Sequence, residues 1–180
     1  MENINPGKIV FMKRQKNANR SARLKQLFSI SFILFSILFF VFLALFRNTL
    51  TGYTSQLKQS YMDPQIVKSE SVKVDSAYNY IKNKLPYKST FLEFGAIGCS
   101  SCKQMEGVLE EIRTLYPKEI NVQFKNVRLK ENQTIMEYYG IVVIPTQVLL
   151  DREGKEFFRH TGVLTTDEMV KIFNSKLEKK

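Results

Sequence analysis

The sequence predicts an α/β sandwich with a mixed sheet, preceded by one N-terminal transmembrane helix. Three observations predict it. Residues 71–180 alternate strand-like and helix-like runs and end in a hairpin and a helix. The run Leu27 to Phe46 carries no charge at all. The only two cysteines, Cys99 and Cys102, stand where a strand-like run becomes a helix-like one.

The N-terminal part reads by length and charge. Residues 27–46 are apolar apart from three serines, and twenty residues of helix rise about 30 Å, the thickness of the hydrocarbon core. The run is longer than a signal-peptide core and no small-x-small cleavage site follows it, so a retained signal anchor in contact with membrane lipid is expected. Residues 1–26 hold Lys8, Lys13, Arg14, Lys16, Arg20, Arg23 and Lys25 against Glu2 alone. The positive-inside bias then places this basic tail in the cytoplasm and everything after residue 46 outside. The tail supplies more than half of the net charge of +10. Beside a membrane span, topology and anionic lipid explain it better than nucleic acid, which is not an expected partner.

Residues 47–70 are polar, with Gly52, Pro64 and no long apolar stripe, and read as a stalk. The domain proper is expected over 71–180. Ser71 to Val74 reads as a short first strand, and Asp75 or Ser76 as the cap of a helix with Tyr78, Ile81 and Leu85 on one face. Thr90 to Phe94 is a strand. A helix from Cys99 to about Tyr116 carries Cys102, Met105, Leu109, Ile112 and Tyr116 along one stripe. A strand opens at Ile120, and a short helix covers Thr134 to Tyr139. Thr146 to Leu150, the turn "DREG" and "KEFFRH" form an antiparallel hairpin. Thr165 and Glu168 make a capping box for a last helix with Met169, Val170, Phe173 and Leu177 inward.

The cysteine spacing narrows the chemistry. A structural zinc site needs four ligands, and the chain offers one Cys pair and a single histidine, His160. Covalent haem attachment would need His after the second cysteine, where Lys103 stands. A bridge closing so small a loop contributes little stability in the chain-entropy model. Redox exchange remains, and it needs no metal and no cofactor beyond a redox-active Cys99–Cys102 disulfide. A cysteine at a helix N-terminus has backbone N–H groups that favour its thiolate, so Cys99 is the expected nucleophile and Cys102 the resolving thiol. Glu93, within an apolar strand, is expected to be buried with a raised pKa, suited to proton exchange with Cys102.

Four motifs then resemble the thioredoxin family over most of residues 71–180. They are "CSSCK" after "FLEFGA", the Ile-Pro-Thr of "YGIVVIPTQVLL", the turn "DREGKE" and the ending "HTGVLTTDEMVKIF". The resemblance implies a thioredoxin-like three-layer sandwich and a cis peptide bond before Pro145. It also implies a substrate surface at Gly98, Ile144, Pro145 and Thr146, with the Ile144 backbone pairing an extended substrate segment. Glu93 falls where thioredoxins have a buried Asp. The chain departs from the family at Gly98, where Trp is usual, and at Ser100-Ser101, where Gly-Pro is common. Gly107 stands in place of a helix-kinking Pro, and Asn126 in place of a Lys that accompanies the acid.

The expected activity is thiol–disulfide exchange on exported proteins, in the reducing direction, with electrons supplied by a membrane thiol carrier. The domain would stand in a periplasm or at a cell surface. Oxidase or isomerase activity, or a tethered module that binds without turnover, are the alternatives.

Overall fold

A computed structural model describes the backbone of residues 6–177 and the side chains of residues 30–46, 49–50 and 52–176. The chain divides into two compact units, Met1–Arg47 and Asn48–Lys180. In the first, the backbone is helical from Pro6 as part of α1 (Pro6–Ser60). The side chains of the basic tail, and those of residues 27–29 of the expected span, lie outside the described residues. Among the described residues no helix is long and apolar enough to cross a membrane. Residues 30–46 are nevertheless mostly exposed and mostly large and apolar, Phe32 and Leu45 being 73% and 75% accessible.

The second unit is built on a four-stranded sheet of β1 (Ser89–Gly95), β2 (Ile120–Asn126), β3 (Thr146–Leu150) and β4 (Glu156–Thr161), in the order β2-β1-β3-β4. β1 and β2 are parallel, and the other two pairings are antiparallel. β1 is buried along its whole length, as a central strand covered on both faces must be. On one face Phe91 and Leu149 pack with Met105, Leu109 and Ile112 of α3 (Ser100–Leu115) and with Met169 and Phe173 of α5 (Thr166–Leu177). On the other, Leu92, Phe94 and Val148 meet Val74 and Tyr78 of α2 (Pro64–Tyr78) and Ile135 of α4 (Gln133–Tyr138). The mixed three-layer sandwich is therefore present.

Several elements form for the reasons their residues give. The α3 stripe is buried, with Cys102, Met105, Leu109 and Ile112 at most 3% exposed. The capping box is reciprocal: the Thr165 N–H donates to Glu168 Oε2 at 2.8 Å, and the Glu168 N–H to Thr165 Oγ1 at 3.3 Å. Asp151 closes the β3–β4 turn by accepting from the Glu153 and Lys155 N–H groups.

The segment before β1 differs from expectation. Ser71 to Val74 is not a strand but the middle of α2, and no helix continues from Asp75 to Leu85. α2 instead starts at Pro64, with the Asp63 carboxylate accepting the Gln65 N–H at 2.7 Å, and ends at Tyr78. Its inward residues are Glu70, Val74 and Tyr78, four apart. In so short a stretch, apolar residues two apart fit either period. Ile81 and Leu85, expected inside, are 54% and 42% exposed.

Residues 47–70, expected as a stalk, are largely helical, divided between the end of α1 and the start of α2. Ser55 is buried, and Lys58 and Gln59 bond to backbone carbonyls of the domain.

Candidate functional site

Sheet register gathers the expected residues. β1 ends at Gly95, and Phe94 pairs with Thr146 at the start of β3. The loop from Gly95 to Cys99 and the Ile144–Pro145 bond therefore stand at the same end of the sheet. Thr146 in turn pairs with Thr161 at the end of β4, which brings Gly162 and Val163 to that end too. The Ile144–Pro145 bond is cis. The Gly162 N–H donates to the Pro145 carbonyl at 2.9 Å.

Cys99 and Cys102 are joined by a disulfide. Cys99 is the N-cap of α3, and its sulfur accepts the Cys102 N–H at 3.2 Å and lies 3.3 Å from Ser101 Oγ. Once the bridge is reduced, the same donors favour a thiolate at Cys99. The two sulfurs differ in access. Cys99 is half-buried, whereas Cys102 is 2% exposed on the inward stripe of α3. One thiol can meet a partner from outside, and the other can only attack its neighbour.

Glu93 is fully buried, two residues before Gly95 on the α3 side of the sheet. Burial pushes its carboxyl up to about 8, and the Gln147 amide offsets part of that. By distance and angle neither carboxyl oxygen accepts a hydrogen bond, so the Gln147 effect is that of a nearby dipole. Gly95, on the same face, lies close against Cys102 and leaves room for it. A Cβ there would lie 3.4 Å from Cys102 Sγ and 2.8 Å from the Phe124 ring.

The loops at this sheet end expose apolar side chains: Ile97 is 70% exposed, and Val142, Val143 and Val163 are exposed as well. Gly98 is exposed with φ +87, a conformation that suits glycine. Arg128 donates from Nη1 to the Ile97 carbonyl at 3.1 Å, fixing a cation beside the loop that leads to Cys99. Ile144 is half-buried and Pro145 buried. Thr146 is buried as well, and its hydroxyl bonds the Val143 carbonyl at 2.7 Å. It supports the loop from beneath.

Sequence reasoning missed Gly95, Arg128, Gln147 and the valine rim. Only the alternation Glu93–Gly95 hinted at any of them. The neighbour of Asn126, Lys125, pairs with Phe94 and so shares the face opposite Glu93. His160 lies opposite Gln147 on β4 and is 8% exposed.

The chain is similar in sequence to known proteins. A family model described as thioredoxin matches residues 69–175. A thioredoxin of Rickettsia bellii (strain RML369-C) is 28% identical over 97 residues, covering 54% of this chain and 87% of that protein. The SPbeta prophage-derived thioredoxin-like protein YosR of Bacillus subtilis (strain 168) is 27% identical over 75 residues, covering 41% and 84%. A solved malarial protein aligns with 49% of this chain and 96% of its own, at a TM-score of 0.45 and 16% identity.

Proposed function

Because the chain belongs to the thioredoxin family and is a thiol–disulfide oxidoreductase, we propose that it is a membrane-tethered reductant of disulfides in exported proteins. The observation that carries the exchange chemistry is the asymmetry of the pair, one sulfur half-buried at a helix N-cap and the other buried behind it.

In the forward reaction the reduced Cys99 thiolate attacks one sulfur of a substrate disulfide. That S–S bond breaks, a substrate thiolate leaves, and a mixed disulfide forms. Glu93, ionised, takes the proton from the Cys102 thiol. The Cys102 thiolate attacks Cys99 Sγ, the second substrate thiolate leaves, and the Cys99–Cys102 disulfide closes. Two electrons have passed to the substrate. A membrane thiol carrier, a dithiol that becomes a disulfide, returns them. The substrate segment lies extended along the Ile144 backbone above cis-Pro145, beside Gly98 and the valine rim.

The tether rests on the uncharged run 27–46 and on the exposed apolar helix over 30–46. The described residues 30–46 rise about 26 Å, and Leu27, Phe28 and Ser29 extend the run to about 30 Å. The basic tail on one side sets the N-terminus in the cytoplasm and the domain outside, in a periplasm or at a cell surface.

The test is the reduction potential of the Asn48–Lys180 fragment against a dithiothreitol or glutathione buffer. A value near −270 mV, about that of thioredoxin, is expected for a reductant. A value of about −120 to −180 mV would mark an oxidant or isomerase and overturn the direction.

A further inference from the structure

The last turns of α1 touch the loop that carries the cis proline. Lys58 Nζ donates to the Ile141 carbonyl at 3.1 Å, and Gln59 Nε2 to the Tyr138 carbonyl at 2.7 Å. Ser55, one turn earlier on the same side of the helix, is 6% exposed. Its backbone sits over Gly140, which has φ +60, and a Cβ at Gly140 would overlap the Ser55 carbonyl. Three contacts from one helical face thus hold Tyr138, Gly140 and Ile141. The next residues along the chain are Val142, Val143, Ile144 and Pro145.

The donors Lys58 and Gln59 precede the stretch that matches the thioredoxin family, residues 69–175, whereas the carbonyls they hold lie within it. The Tyr138 carbonyl, at the end of α4, has no helical partner and takes its donor from Gln59, while Lys58 supplies one to the Ile141 carbonyl in the loop that follows. A loop tied in this way has fewer conformations to lose when a substrate strand pairs with it.

We propose that the end of α1, Gly52–Ser60, is a brace for the substrate-docking loop, with Lys58 and Gln59 as positioning residues and Gly140 as the seat. The brace rests on the reading of the Pro145 loop as the docking site. It acts on extended protein segments, which use that loop, and not on small disulfides, which need only Cys99.

The experiment uses the full chain in detergent micelles, reduced beforehand. Rates of reduction are measured for insulin, a protein disulfide, and for 5,5′-dithiobis(2-nitrobenzoic acid), a small one. In Lys58→Met with Gln59→Leu, the ratio of the insulin rate to the small-disulfide rate should fall by roughly three- to tenfold. Lys58→Arg, which keeps a cationic donor, should largely restore the ratio when paired with wild-type Gln59. Simple loss of stability would lower both rates together and leave the ratio unchanged. Hydrogen exchange at the Ile141, Val142, Val143, Ile144 and Thr146 amides should also accelerate in the double variant. An unchanged ratio or unchanged exchange in that segment overturns the brace while leaving exchange chemistry intact. Failure of the wild-type chain to reduce either disulfide would instead overturn the proposed function, and the amide exchange would still decide the brace.

Discussion

Glu93 and Gln147 face each other across the β1–β3 ladder, both fully buried and both with side-chain oxygens that lack a hydrogen-bond donor. Gln147 uses its NH2 group on the Gly162 carbonyl at 3.0 Å. Burial desolvates a carboxylate in this setting, so the neutral acid is favoured. Lys125 does not help, because it lies on the other face of the sheet.

Glu93 should therefore make stability fall as pH rises. Its folded pKa of about 8 lies above the ordinary 4.5. A raised acid contributes stability that is complete below its unfolded pKa and is lost as pH climbs through the folded one. The slope from this group approaches about 1.4 kcal/mol per pH unit between those two values. Glu93→Gln should flatten that slope, and denaturant unfolding at pH 5, 7 and 9 measures it. Equal slopes in the two proteins would show that Glu93 titrates normally.

The same acid should govern the second half of exchange. In the proposed mechanism only ionised Glu93 accepts the Cys102 proton, so closure of the disulfide should accelerate as pH rises through about 8. Stopped-flow resolution of a Cys99 mixed disulfide gives the profile. In Glu93→Gln the step near pH 8 should vanish, with a rate loss of roughly 10²-fold at most.

The two cysteines should separate cleanly in trapping. Cys102→Ser leaves the half-buried Cys99 and removes the buried thiol proposed to resolve the mixed disulfide, so covalent substrate adducts should accumulate on non-reducing gels. Cys99→Ser should trap little, because Cys102 is only 2% exposed. Comparable adducts on both variants would contradict the assignment of roles.

Gly95→Ala should impair the resolving cysteine more than the attacking one. The added methyl group meets the Phe124 ring at 2.8 Å and the Cys102 sulfur at 3.4 Å. Overpacking of this kind costs about 1–3 kcal/mol. Thermal unfolding should show the loss, and slower closure of the mixed disulfide should accompany it.

Gly107→Ala should do the opposite. The position is exposed in the middle of α3, and an added Cβ meets nothing within 4 Å. Replacing an unconstrained helical glycine raises stability by about 0.5–1 kcal/mol. Chemical denaturation of the Asn48–Lys180 fragment checks it, with no change expected in exchange rates.

Legibility followed the range of the interaction. The α3 stripe, the Thr165–Glu168 box and the Asp151 turn are made by neighbours in the chain, and each could be read from spacing. α2 was misread because Ser71 to Val74 is too short to tell a period of two from one of 3.6, and its start signal, Asp63-Pro64, lay within the presumed stalk. The docking of Lys58 and Gln59 uses polar side chains on carbonyls some 80 residues away. No apolar stripe announces such a contact.

The chain's own order of residues determined the redox pair, the cysteine at a helix start, the buried acid and the uncharged N-terminal run. Those depend on local geometry and on the cost of burying charge. Tertiary structure alone decided that Gly95 makes room for Cys102, that Gln147 is the partner across from Glu93, and that α1 reaches the cis-proline loop. Each of these joins residues through strand register or helix docking, whose partners are chosen by packing across the whole domain and not by any neighbour in sequence.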